Sequence, residues 1–150
     1  MTISMDQIKQ LREKTGAGVM DAKKALIEAK GEMKKAETLI AKKGLARADS
    51  KSDRETKQGI IFAYVHHNQK SGAMVKLLCE TDFVARTDDF SHLAKELAMQ
   101  VTSMTPKNVA EFLQQEYVRD PKLTIAALIK AVAAKTGENV VLSEFTRFSL

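Results

Sequence analysis

Cysteine, proline and tryptophan are scarce in this sequence of 150 residues, which has one Cys, two Pro and no Trp. Because a disulfide requires two thiols, the single Cys79 excludes an internal disulfide and fits a reducing cytosol. Cys79 alternates with strand-type residues, and this pattern predicts a small buried side chain. The two Pro and seven Gly are too few for long flexible linkers. The length favours one domain, or one small module beside one domain.

Long hydrophobic runs are also missing from the sequence. No apolar run approaches the ~20 residues that span a bilayer, so we expect no membrane partner. Charged residues at positions 6, 9, 12 and 13 interrupt any apolar segment that could serve as a signal peptide. We therefore expect the protein to remain in the cytoplasm.

Clusters of residues with catalytic or metal-binding spacing are absent from the sequence. His66 and His67 are neighbours on a predicted strand, so their side chains should point to opposite faces. Cys79 would need one of these histidines as a base before it could act as a nucleophile, and we favour burial instead. We expect no catalytic site, no metal ion and no cofactor.

The net charge of +5 is concentrated in the N-terminal part of the chain. Residues 1–58 hold 14 basic and 9 acidic residues, whereas residues 59–150 hold 10 of each. Acidic and basic residues are interleaved, which favours a solvated helical surface. The basic segment 42–57 could instead bind nucleic acid, but it lacks interleaved aromatic residues that would stack on bases. We expect no direct nucleic-acid partner.

Three short helices are predicted in the N-terminal part of the chain. They cover residues 5–13, residues 19–30 and residues 32–43, with Gly31 and Gly44 as helix ends. A Gly-Ala-Gly turn at residues 16–18 lacks the preceding strand of a phosphate-binding loop, so we interpret it as an inter-helix turn. We predict a docking module over residues 1–44 and a charged linker over residues 45–58.

The remaining residues, 59–150, predict an α+β domain. A strand at 59–68, a hairpin turn at 69–72 and a strand at 73–80 come first, and Val75, Leu77 and Cys79 share one face of the second strand. A long helix follows, capped by Asp88 or Asp89 and ended by Pro106, with an apolar face. The residues of that face are Phe90, Leu93, Ala94, Leu97, Ala98, Val101 and Met104.

The last forty residues predict further helices and strands. A short helix at 109–113, an edge strand at 116–118 and a turn at 120–121 come first. A helix at 124–135 and a closing strand at 139–148 complete the order. Helices should pack on one face of a small antiparallel sheet.

Residues 81–85 (TDFVA) join the second strand to the long helix. They contain a carboxylate, Asp82, and a large aromatic, Phe83, which belong clearly to neither the predicted strand nor the predicted helix. An aromatic at such a junction is either part of the core or a contact for a partner protein, and the pattern leaves both open.

Three segments resemble bacterial elongation factor Ts. They are residues 11–26 (LREKTGAGVMDAKKAL), residues 80–85 (ETDFVA) followed by a helix near Phe90, and residues 137–141 (GENVV) running on to Phe148. The segments lie in the family's order and, with the hairpin at 64–72, cover most of the chain. The set is far more specific than any single motif.

The resemblance implies a guanine-nucleotide exchange factor for elongation factor Tu in translation elongation, rather than an enzyme. It implies a ubiquitin-associated-like three-helix module that docks through Val19 and Met20, with Leu11 and Arg12 alongside. It also implies that the segment Thr81, Asp82, Phe83 and Val84 contacts the GTPase and dislocates its Mg²⁺. Val19 stands where many family members carry Met.

The chain is short for the family and has the strand-rich core only once. The resemblance therefore implies a homodimer that rebuilds a two-lobed core, through a sheet edge or the closing segment 139–150. The alternative is a protein-interaction module without exchange activity, in which Phe83 belongs to the core.

Overall fold

The structure is a computed structural model that describes residues 2–150. Three helices form the N-terminal bundle: α1 (Met5–Thr15), α2 (Val19–Glu28) and α3 (Met33–Ser50). Ser4 and Gln7 form a reciprocal capping box at the start of α1, which satisfies two backbone N–H groups at the helix end. The bundle has its own small cluster of buried residues, made of Ile8, Leu11, Ala22, Ala25, Leu26, Ala29 and Ala36.

Helix α3 does not end at Gly44, so the prediction that this glycine stops the helix is wrong. The helix runs on to Ser50, and Ala48 belongs to the main core cluster of the molecule. A Cβ atom at Gly44 would lie 3.3 Å from the Cβ of Ala134 in the late helix α7 (Ile125–Thr136). Gly44 therefore permits close helix packing, and α3 joins the bundle to the core.

The core sheet has three antiparallel strands in the order β1-β2-β5: β1 (Gln58–Val65), β2 (Ser71–Cys79) and β5 (Val141–Ser149). The hairpin turn lies at residues 66–70, earlier than predicted, because Ser71 and Gly72 already pair within the ladder. On β2, Val75, Leu77 and Cys79 are buried on one face, as predicted. This face points toward the helices.

The other elements of the core are α4 (Asp82–Ala85), α5 (Asp88–Met104), α6 (Val109–Gln114), β3 (Glu116–Tyr117), β4 (Asp120–Thr124) and α7. Thr87, not Asp88 or Asp89, caps α5, because its side chain accepts the hydrogen bond from the backbone N–H of Phe90. The turn predicted at 120–121 lies at 118–119 instead, since β4 begins at Asp120 and pairs with β3.

The predicted apolar face of α5 is buried against the sheet, apart from Met104 at its end. Phe90, Leu97 and Val101 are fully enclosed, and Phe112 of α6 closes the core near Phe145 of β5. Helices thus cover one face of the sheet, and the prediction of an α+β fold is confirmed.

Candidate partner-binding site

The short helix α4, with its cap Thr81, forms a projecting tip, which we define as residues 81–85. The Thr81 side chain caps α4 by accepting from the backbone N–H of Val84 at 3.3 Å. Phe83 is 80% exposed, whereas Val84 is 5% exposed and belongs to the core cluster. The helical turn therefore buries Val84 as a fixing point while Phe83 projects into solvent. The sequence left open whether Phe83 belongs to the core or contacts a partner protein. Its exposure shows that the assignment to the core is wrong.

Asp82 lies beside Phe83 on the exposed side of the tip. Its carboxylate forms an ion pair with Arg86 one helical turn later, at 3.3 Å. Both side chains are well exposed, so this pair adds little to stability. The carboxylate and the guanidinium are thus available to a partner surface together with the Phe83 ring.

A carboxylate from another part of the chain holds the base of the tip. Glu138 accepts hydrogen bonds from the backbone N–H groups of Glu80 and Thr81, at 3.2 and 3.0 Å, and from the Thr81 hydroxyl at 2.7 Å. The Glu80 carboxylate in turn accepts from the Asn139 backbone N–H at 2.7 Å. Glu138 and Asn139 belong to the segment 137–141 (GENVV), but no structural role for either could be predicted from the sequence.

The docking residues predicted in the bundle fall into two groups. Val19 and Met20 lie in the first turn of α2 and are 44% and 62% exposed. Leu11 is fully buried in the core cluster of the bundle, so its side chain is not exposed to a partner in this structure. Arg12 is exposed, and its Nε donates to the carbonyl of Ala17 at 3.3 Å. This contact holds the Gly-Ala-Gly turn that precedes α2.

Ile27 extends the exposed apolar surface of α2 and was missed by the sequence analysis. It is 57% exposed and lies seven residues after Met20, which places both on one side of the helix. The seven-residue spacing from Met20 could have identified Ile27 from the sequence alone. We define a candidate docking face, called the docking face below, as Val19, Met20 and Ile27.

An ion pair fixes the first turn of α2 against α3. Both terminal nitrogens of Arg47 bond to the Asp21 carboxylate, at 3.0 and 3.2 Å. The Arg47 guanidinium, through these hydrogen bonds, lowers the pKa of Asp21 below its usual value. Arg47 lies on the part of α3 that packs against α7, so the contact links the docking face to the core.

The sheet face that points away from the helices carries several exposed apolar side chains. Along β2, Gly72, Met74, Lys76 and Leu78 alternate with the buried residues, and their partners in the ladder share this side. We define the open sheet face by its exposed apolar residues Ile61, Val65, Met74, Val141 and Phe148.

Chemistry based on the lone thiol has no support in the structure. Cys79 is fully buried, as predicted, and burial raises the pKa of its thiol, which disfavours the reactive thiolate. Within residues 2–150, no three His, Cys, Asp or Glu side chains are grouped as they would be around a metal ion. None of the helices in that range is long and apolar enough to cross a membrane.

Comparison with known proteins gives consistent matches. A family model described as Elongation factor TS matches residues 80–150. Elongation factor Ts of Fervidobacterium nodosum is 38% identical over 195 aligned positions, covering 100% of this chain and 99% of that protein. The Thermotoga maritima protein of that name is 41% identical over 193 positions, covering 100% of this chain and 97% of its own.

The elongation factor Ts of Aquifex aeolicus is 45% identical over 153 positions, covering 99% of this chain but 53% of its own length. In the Fervidobacterium alignment, 195 positions include only the 150 residues of this chain, so 45 positions of that relative have no counterpart here. The similarity thus extends from end to end of the chain, while 45 internal positions of the Fervidobacterium relative are missing from it.

Proposed function

Because this chain belongs to the elongation factor Ts family and is thus a translation elongation factor, we propose that it releases GDP from elongation factor Tu. The observation that carries the proposal is the tip, where Phe83 is 80% exposed beside the buried Val84. An exposed large aromatic on a fixed turn is costly to solvate and is typical of an interface anchor. In this proposal, the Phe83 side chain inserts into the GTPase.

The proposed mechanism needs no bond chemistry on this chain. The docking face binds a helix of the GTPase domain, and Phe83 inserts between elements that hold Mg²⁺ and phosphate. Displacing the Mg²⁺ removes an electrostatic anchor of the diphosphate. By thermodynamic linkage, a factor that binds the nucleotide-free GTPase more tightly than the GDP form must weaken GDP binding by the same ratio.

The fold supports this mechanism because it makes the tip stiff. Strand β2 enters the tip, α5 leaves it within three residues, and Val84 and Ala85 are buried in the core. A wedge can transmit strain to a partner only if it deforms less than the partner does. Helix α3 joins the core to the bundle, so docking and insertion can occur together.

Release of fluorescent GDP tests the proposal. Elongation factor Tu is loaded with the labelled nucleotide, excess unlabelled GDP is added, and the decay of fluorescence is followed with increasing amounts of this protein. We expect a saturable rise in the release rate. An unchanged rate at micromolar protein would leave the chain as an interaction module without exchange activity.

We propose further that the chain forms a homodimer through the open sheet face. Large uncovered apolar patches are uncommon on monomeric proteins. The exposed apolar residues of the open sheet face come from all three strands of the sheet. A second copy with the same face would cover both patches with two-fold symmetry.

Light scattering measures the mass of the particle in solution and so gives the oligomeric state directly. We expect twice the mass of the 16.6 kDa chain for the wild type, and the monomer mass for Phe148→Lys, because a buried lysine charge opposes association. A monomeric wild type at high micromolar concentration would contradict the dimer and leave the exchange proposal standing.

A further inference from the structure

We propose that Glu138 is a positioning residue for exchange, which sets the direction of Phe83 through Thr81. The inference rests on the proposed function, and it assigns a role to a residue that does not itself touch the partner. Glu138 lies just after α7 and Thr81 just after β2, so the contact joins two segments that are 57 residues apart in sequence.

The geometry of the Glu138 carboxylate is specific. Its Oε1 accepts from two successive backbone N–H groups, those of Glu80 and Thr81, while its Oε2 accepts from the Thr81 hydroxyl. One carboxylate thus fixes both the backbone and the side chain of Thr81. A charged acceptor makes these bonds stronger than neutral ones.

The Thr81 hydroxyl passes this constraint on to the tip. It donates to Glu138 at 2.7 Å and accepts from the Val84 N–H at 3.3 Å, so its single proton is already committed. The orientation of the hydroxyl, and with it the start of α4, is therefore set by the carboxylate. Phe83 lies between the two hydrogen-bonded residues, and its side chain is 80% exposed, so little packing holds the ring.

A second set of bonds joins this contact to the segment that leaves the bundle. Asn139 donates its backbone N–H to Glu80, and its side-chain Nδ2 donates to the carbonyls of Ser52 and Arg54 at 3.1 and 2.8 Å. Arg54 also lies 3.6 Å from the Glu80 carboxylate. The clamp, defined as Glu80, Glu138 and Asn139, thus fixes the tip relative to the end of α3.

The test separates positioning from docking and from folding. Glu138→Ala removes every acceptor, whereas Glu138→Gln keeps a carbonyl for the two backbone donors and replaces the acceptor for Thr81 by a donor. Because misplacing a contact group by about 1 Å can cost up to 100-fold in rate, we expect maximal GDP release to fall roughly tenfold in Glu138→Ala and less in Glu138→Gln. The concentration for half-maximal effect should stay within about twofold of wild type, since the docking face is untouched.

Glu111→Ala serves as the control, because it too removes one carboxylate, and Glu111 is an exposed residue outside the tip and the docking face. A double-mutant comparison with Phe83→Ala adds a readout that general destabilisation would not change. If Glu138 acts through Phe83, Glu138→Ala should cost less than twofold further when Phe83 is already Ala. Equal losses in both backgrounds would overturn the proposal.

Amide hydrogen exchange of the free protein gives an answer that does not depend on activity. In Glu138→Ala, the amides of residues 80–86 should exchange at least fivefold faster, while those of β1, β2 and α5 keep their wild-type rates. Unchanged protection at residues 80–86 would refute the positioning role. A wild type that fails to release GDP would refute the proposed function, whereas the amide hydrogen-exchange rates would still decide whether Glu138 holds the tip in place.

Discussion

Replacing Phe83 by alanine should separate binding from folding in this molecule. Core Phe→Ala substitutions cost about 3–5 kcal/mol, and fully buried Phe90 and Phe112 fall in that class. Phe83 is 80% exposed, so its loss should change the free energy of unfolding by no more than about 0.5 kcal/mol, as for other surface substitutions. A central aromatic anchor of an interface contributes about 2 kcal/mol or more, which corresponds to roughly 30-fold in the exchange efficiency.

Two measurements on the same protein preparation decide this prediction. Urea denaturation gives the free energy of unfolding, and release of labelled GDP from elongation factor Tu gives the efficiency. Met104→Ala is the control, because Met104 is an exposed apolar residue at the end of α5, away from the tip. The reasoning fails if Phe83→Ala lowers stability by about 3 kcal/mol, the range of a core substitution, or if it leaves GDP release at the wild-type rate.

Three other changes probe the docking face, the helix contact and the polar network on α5. Met20→Asp places a charge on the docking face and should raise the half-saturating concentration in GDP release without lowering the maximal rate. Gly44→Leu forces α3 away from Ala134 and should destabilise the protein by about 1–3 kcal/mol in urea denaturation, as overpacking does. Burial and the hydrogen bond to Glu96 raise the pKa of Tyr117 to about 12. The folded protein therefore keeps this proton between pH 10 and 12 while the unfolded chain releases it. Stability should fall with rising pH across that range, and less so in Tyr117→Phe, as thermal denaturation can measure.

Local periodicity was enough to predict most of the core. The apolar face of α5 and the buried side of β2 follow directly from spacings of 3–4 and 2 residues, and both are buried as expected, except Met104 at the helix end. Thr87 shows the limit of this approach at a helix end. Thr87, Asp88 and Asp89 can all cap a helix by their chemistry, and only the backbone geometry selects Thr87.

Contacts between distant segments could not be derived from the sequence. A glycine such as Gly44 is typical of a helix end. Its actual role, which is to let α3 pack closely against α7, depends on Ala134, which lies 90 residues later. Leu11 and Met20 are both apolar residues near one turn, and only the packing shows that the first is buried and the second exposed. The proposed role of Glu138 at the tip depends likewise on a contact with Thr81, which lies 57 residues earlier.

The affinity of this protein for two forms of elongation factor Tu tests the exchange account most directly. Calorimetric titration of the nucleotide-free GTPase and of the GDP-bound GTPase gives two dissociation constants. The account predicts that the nucleotide-free form binds more tightly, and that the ratio equals the factor by which this protein weakens GDP binding. Equal affinity for the two forms would contradict it, because a protein that binds both states equally cannot shift the nucleotide equilibrium.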